Sequence, residues 1–357
     1  MCPKGILACL FAASTHAKLM ALAVITCAAL LIIGFKFQAA EAPHSTSVLR
    51  HDCTIRAIAF SPDGRALATA GGLLEPVGEL KLWDTKDGTQ KCSLNGHQNS
   101  IRSLAFSPDG ERLATAAADA TLRLWNVVGG RAELTIRLAA QPCALAFSPD
   151  GRKVAVSGDD LCIRLFDTET GHLALRFDCE CPCFTCVVFA PDNRRLATWS
   201  LGQPFIDVWD ATTGVRQGRL RRPDGEPIAS KGFESWLLRW SSTGPRLFTA
   251  LSGTVEIWDA VEGNVRRFVQ PDSTWLGAMA LSTDCKLLAL GNCQGTVHLW
   301  NTATGAKLGT FAGHEDAVTS LALCPDGNRL ASGSRDRTVI LRRCEPTSAG
   351  TEIVKLR

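Results

Sequence analysis

Residues 101–126, IRSLAFSPDGERLATAAADATLRLWN, decide how the whole chain reads. The alternating run Ile101-Arg102-Ser103-Leu104-Ala105-Phe106 predicts a strand with one buried face. Ser107-Pro108-Asp109-Gly110 then predicts a turn. Proline presets φ, aspartate bonds its own backbone and glycine takes positive φ. A small-residue strand, Arg112-Leu113-Ala114-Thr115-Ala116, follows. After a tight turn comes a third strand, Thr121-Leu122-Arg123-Leu124-Trp125-Asn126, and a fourth runs toward the next unit.

The turn recurs as Ser61-Pro62-Asp63-Gly64, Ser148-Pro149-Asp150-Gly151 and Cys324-Pro325-Asp326-Gly327. Degenerate copies stand at Ala190-Pro191-Asp192-Asn193, Ser241-Ser242-Thr243-Gly244 and Ser282-Thr283-Asp284-Cys285. First positions at 61, 107, 148, 190, 241, 282 and 324 define seven units, with insertions in the first and between the fourth and fifth. Four strands in roughly 42 residues, with glycine and aromatic residues at fixed places, describe a propeller blade. A single blade cannot bury both of its faces, so the units must form one ring. The predicted fold class is all-β: a seven-bladed β-propeller of four-stranded antiparallel blades over residues 45–357.

At this point the chain resembles the WD-repeat β-propeller family. The resemblance rests on Gly96-His97 and Gly313-His314 and on the pairs Trp83-Asp84, Trp125-Asn126, Trp209-Asp210, Trp258-Asp259 and Trp300-Asn301. The third unit has Phe166-Asp167 in that place and the seventh has Arg342-Arg343. The resemblance implies a hydrogen-bonded set of His, Ser or Thr, Asp and Trp within each blade. On this reading only the second unit keeps all four, as His97, Thr115, Asp119 and Trp125. The seventh keeps His314, Ser332 and Asp336, and most others keep two or fewer, so apolar packing is expected to hold the ring. The family also implies that one terminus completes the last blade and removes an open edge. Thr46 to Leu49 and Thr351 to Leu356 both qualify, the second with the better alternation, and a contribution from both stays open.

Composition narrows the function. Hydrophobic residues are 46% and charged residues 20%, which excludes a disordered chain. The net charge is +3, and Lys4, Lys18 and Lys36 against Glu41 leave only +1 for everything after residue 44. So balanced a propeller is not expected to bind nucleic acid by neutralising phosphates. Fifteen cysteines cannot all pair within one chain, and their scatter through apolar runs argues against a disulfide framework.

The N-terminus reads as a separate object. Residues 19–35, LMALAVITCAALLIIGF, carry no charge and lie between Lys18 and Lys36. As a helix they would reach roughly 26 Å, slightly short of a bilayer core of about 30 Å. Two readings stand. Ala40-Glu41-Ala42 would serve as the cleavage site of a signal peptide. The long preceding segment, the length of the apolar run and Lys36 favour an uncleaved, single-pass signal anchor, with 1–18 before it and 36–44 as a linker. The lysine distribution favours the propeller on the extracytoplasmic side.

Four groups are candidates for chemistry. Cys179-Glu180-Cys181-Pro182-Cys183-Phe184-Thr185-Cys186 carries four thiols, but one short loop lacks the two separated pairs of a structural zinc site. These read as incidental cysteines, with Cys186 inside a strand. No nucleophile has a partnered base, and no glycine loop suits phosphate, so no catalytic residue, metal or cofactor is expected. Arg216, Arg219, Arg221 and Arg222 read first as protection of a blade edge and second as an anion patch. Among nine tryptophans, five occupy the repeated pair and Trp240 aligns with the core phenylalanines. Trp199 at a turn beside Phe205, Trp236 at the start of the fifth blade's first strand and Trp275 in the loop entering the sixth remain, and these four aromatics are assigned to one rim and hence to a partner-binding surface.

These expectations add up to a membrane-tethered, non-catalytic scaffold that binds other proteins, with no nucleic acid and no small-molecule substrate. The alternative is an exported propeller that binds a small ligand or catalyses a reaction in its central channel.

Overall fold

The computed structural model describes residues 46–72, 78–179, 185–200, 205–221, 237–242, 244–251, 254–269, 276–346 and 354–356. Within them the chain forms seven antiparallel sheets, six of four strands and one of five. The innermost strands are Ile55–Phe60, Ile101–Phe106, Pro142–Phe147, Thr185–Phe189, Leu237–Trp240, Leu276–Leu281 and Val318–Leu323. Each lies beside the next, and Val318–Leu323 meets Ile55–Phe60, so the blades close into a ring. Among the described residues no helix is long and apolar enough to cross a membrane. The helix expected over 19–35 and its flanks, 1–18 and 36–44, lie outside the described residues.

The repeated turn is built as its residues dictate. Ser61 Oγ donates to Asp63 Oδ1 at 2.6 Å and accepts from Ala66 N at 2.9 Å, while Gly64 N closes the turn on Ser61 O at 2.8 Å. Gly64 stands at φ +70°. In the degenerate copies Asn193 (φ 61°) and Cys285 (φ 58°) take the same left-handed backbone. A cysteine there costs roughly 1 kcal/mol or more, which the surrounding ladder must offset.

The apolar core lies between blades. One cluster joins Ala68, Leu80 and Leu82 of the first blade to Ile101, Leu113 and Trp125 of the second. Small residues in the second strand of a blade admit large ones from the next. A Cβ on Gly333 would meet Ile55 Cγ2 at 2.4 Å, and one on Gly291 would meet Val318 Cγ1 at 2.4 Å.

Closure uses both ends of the propeller, in unequal parts. Strand Ser47–Arg50 takes the outer place of the seventh blade, with Ser47 opposite Leu341 and Arg50 opposite Thr338. The C-terminal strand Val354–Leu356 pairs farther along the same partner, Leu356 opposite Cys344. Alternation alone favoured the C-terminal segment for the outer place. The N-terminal strand holds it because Leu49, 4% exposed, joins an apolar cluster with Ile55, Trp83 and Leu341. Polar links stitch the same seam: Thr319 Oγ1 donates to Ile55 O at 2.6 Å and Arg329 Nη1 to Thr85 Oγ1 at 2.6 Å.

Leu49→Ala is therefore expected to cost about 2–5 kcal/mol in denaturant unfolding. Val48, 50% exposed on the other face, makes the control, with Val48→Ala within about 0.5 kcal/mol of wild type. Equal losses in the two variants would mean that the strand is not seated in this register.

Candidate functional site

The polar network of the second blade is complete. Trp125 Nε1 donates to Thr115 Oγ1 at 2.8 Å, Thr115 Oγ1 lies 2.7 Å from His97 Nε2, and His97 Nδ1 lies 3.0 Å from Asp119 Oδ2. The donors run in one direction when His97 is neutral and carries its proton on Nδ1. Asp119 Oδ2 also accepts from Gln98 N at 2.9 Å.

The first blade completes the same network with a residue that spacing did not single out. Trp83 Nε1 donates to Thr69 Oγ1 at 2.7 Å, Thr69 lies 2.8 Å from His51 Nε2, and His51 Nδ1 lies 2.9 Å from Glu79 Oε2. By strand register Glu79 stands opposite Gly71, as Thr121 stands opposite Ala117 in the second blade. It is therefore two residues past the expected aspartate, and its extra methylene makes up the reach. Burial raises the Glu79 carboxyl, but hydrogen bonds from His51 and Lys81 outweigh it and hold the group at about 2. The expectation that only the second unit keeps four members is thus corrected. In the seventh blade Arg342 replaces the tryptophan as donor, with Nη1 3.1 Å from Ser332 Oγ, while His314 Nδ1 meets Asp336 Oδ2 at 2.9 Å.

Of the four aromatics assigned to the rim, Trp199 and Phe205 can be placed, and Trp199 is not on it. Trp199 is not in a turn: it lies inside strand Arg195–Ser200, opposite Cys186, and is 1% exposed. It packs with Ile206, Leu238 and Trp258 between the fourth and fifth blades. Other blades carry Ala70, Ala116, Gly291 or Gly333 at its register position, facing a large residue such as Ile55 or Val318. In the fourth blade the large residue stands on the second strand itself. Phe205 is half-buried under Arg219, whose Cζ lies 3.7 Å from the ring centroid. Arg219 in turn clamps buried Asp207 at 2.7 and 3.0 Å. Trp236 and Trp275 lie outside the described residues, as do Cys181, Cys183 and Arg222.

The arginines of the outer strand are spent within the blade, since Arg216 stacks on Trp209 and Arg221 joins Arg219 beside Phe205. Cys179 is buried in the apolar core, and burial pushes the Cys186 thiol up to about 12. Cys186 is therefore no ready thiolate ligand.

A cationic cluster is present that sequence analysis passed over. Five residues before each turn, the innermost strands of the first two blades carry Arg56 and Arg102, where other blades carry Cys143, Thr185, Gly277 and Thr319. Arg335 follows strand Arg329–Ser334 of the seventh blade, so the three come from adjacent blades around the ring seam. Surrounding protein, then the nearby charges of Arg102 and Arg335, lower the Arg56 guanidinium from its ordinary value. Arg102 reaches Gln141 Oε1 at 2.7 Å, and among the described residues no carboxylate pairs with Arg56, which is exposed. Guanidinium groups grouped in this way are suited to carboxylate or phosphate, which they hold bidentately.

Two measurements test this anatomy. Trp199→Ala is expected to cost about 3–5 kcal/mol, as much as Trp125→Ala, because both side chains are fully buried. A loss under about 1 kcal/mol would return Trp199 to the surface. The second is pH. Burial lowers His97 and His314 despite the pull of Asp119 and Asp336, so the unfolded chain binds protons on these imidazoles first. Stability is then lost as pH falls through about 6.5 toward the folded values. Urea unfolding at pH 7.5 and 5.5 is expected to show this loss, reduced in His97→Gln/His314→Gln; an undiminished loss in that variant assigns it to other groups.

Comparison with known proteins agrees with the geometry. The family model described as WD domain, G-beta repeat (WD40) matches residues 44–72, 88–126, 138–167 and 305–342. The chain is 28% identical over 171 residues to transcription factor unc-37 of Caenorhabditis elegans, covering 46% of this chain and 27% of that protein. It is 28% identical over 158 residues to human telomerase Cajal body protein 1 (42% and 28%). It is 36% identical over 87 residues to target of rapamycin complex subunit wat1 of Schizosaccharomyces pombe (24% and 28%). The matched region thus spans little more than a quarter of each of these relatives. The chain folds as a seven-bladed β-propeller, and four stretches of it match the WD40 repeat.

Proposed function

We propose that this propeller is a non-catalytic scaffold that binds other proteins, and that it receives an acidic segment of a partner where Arg56, Arg102 and Arg335 come together. The observation that carries the reading is the grouping of three guanidiniums from three adjacent blades, with exposed Arg56 in no ion pair among the described residues. Like charges held together lower one another's stability as cations, and a partner carboxylate relieves that cost. Membership of a complex in the name of one relative, a target of rapamycin complex subunit, supports the general role. The partner is a protein rather than nucleic acid or a small substrate, and the scaffold uses no cofactor. The charge-free run 19–35 between Lys18 and Lys36 supports a single-pass tether, with the propeller on the extracytoplasmic side.

The test uses full-length chain solubilised from membranes. Arg56→Glu/Arg102→Glu is expected to keep the wild-type circular dichroism and melting temperature while losing a synthetic poly-glutamate peptide and the proteins captured by wild type. Undiminished capture by the folded variant overturns the acidic-partner reading, and displacement of the peptide by inorganic phosphate alone favours a small-ligand site. After alkaline carbonate the chain is expected to stay with the membrane pellet. A mature N-terminus at Pro43 removes the tether.

A further inference from the structure

We propose that His51, Cys53 and Glu79 of the first blade form a three-ligand site for a zinc-class divalent cation. One donor atom from each, His51 Nδ1, Cys53 Sγ and a Glu79 carboxylate oxygen, lie within 4.8 Å of one another. Glu79 Oε2 is 2.9 Å from His51 Nδ1 and 3.4 Å from Cys53 Sγ. A tetrahedral centre with N, O and S ligands at about 2.0–2.3 Å sets its donors about 3.3–3.6 Å apart. Small adjustments bring the three to that spacing and leave a fourth position for water or a partner's ligand.

Both non-sulfur ligands are already oriented from behind. Thr69 Oγ1 holds His51 Nε2 at 2.8 Å, and Lys81 Nζ contacts the other carboxylate oxygen, Glu79 Oε1. Such outer contacts fix the direction in which a ligand presents its lone pair. Binding keeps His51 neutral by moving its proton from Nδ1 to Nε2. Thr69, relieved of donating there, turns its hydroxyl to Lys81 O at 3.4 Å. The cation replaces the Cys53 thiol proton, so one proton is released per metal bound.

The ring supplies its own comparison. His97 and His314 sit in equivalent networks, but the residues two positions beyond them are Asn99 and Asp316. Those side chains turn to backbone: Asn99 Oδ1 accepts from Ser100 N at 2.7 Å and Asp316 Oδ1 from Ala317 N at 2.6 Å. In the first blade that place holds a buried thiol, 2% exposed, beside the longer carboxylate of Glu79. The Lys81 ammonium opposes a cation, which keeps the affinity below that of a dedicated zinc site.

Cobalt(II) titration of the full-length chain tests the site. One equivalent is expected to give a thiolate-to-cobalt charge-transfer band in the near ultraviolet, displaced by zinc. Cys53→Ser is expected to abolish the band and weaken binding by about tenfold or more. No band in wild type, or an unchanged band in Cys53→Ser, overturns the proposal, the second by placing the metal on other cysteines.

Discussion

Pairing of strand Ser47–Arg50 with the outer edge of the seventh blade is the constraint on which the ring depends. A propeller blade has two apolar faces and neither is covered until its neighbours arrive, so the gain from burial is realised only when the circle is complete. The seam between the seventh and first blades is the single interface that local folding cannot build, since its partners are more than two hundred and fifty residues apart, as with Ile58 and Ser320. Leu49, Ile55, Trp83 and Leu341 meet there. The outer strand also shields a long edge that would otherwise offer unpaired backbone groups to another chain.

Away from the seam the blades are held chiefly by size matching across their faces. A hydrogen bond of the His–Thr–Trp type contributes about 1 kcal/mol net, whereas a buried tryptophan side chain contributes about 3 kcal/mol or more. This ordering explains how the chain tolerates so many departures from the polar network. Phe166 stands in place of a tryptophan, Arg342 donates to Ser332 in its stead, and Glu79 replaces an aspartate from two residues farther on. The fourth and fifth blades keep only the bonds from Trp209 to Thr198 and Trp258 to Thr249 among the described network contacts, and Trp199 fills the interface between them.

Charge is distributed by blade rather than by sequence segment. The outer strand of the fourth blade looks strongly basic, yet Arg219 is neutralised by Asp207 and covered by Phe205. Arg56, Arg102 and Arg335 are scattered singly along the chain, and only the ring brings them together. The same holds for His51 and Glu79, which are joined across an insertion. Recognition chemistry on a repeat scaffold therefore arises from juxtaposition between units, which no single unit displays.

What the sequence determined by itself was the repeat and hence the ring: seven turns at nearly constant spacing, each with proline, aspartate and glycine where backbone geometry demands them. The second-blade set of His97, Thr115, Asp119 and Trp125 was legible for the same reason, being local and in register. What only the tertiary structure decided depended on distance across blades. Trp199 reads as a turn residue, but Leu238 and Trp258 of the next blade cover it together with Ile206 of its own, and it is buried. The outer place in the seventh blade went to Ser47–Arg50 over the better-alternating C-terminal segment because Leu49 has an apolar pocket waiting for it. Periodicity reports which face of a strand is buried. It carries no information about which neighbour covers that face, and the places of Trp199 and of the closing strand were set by that neighbour.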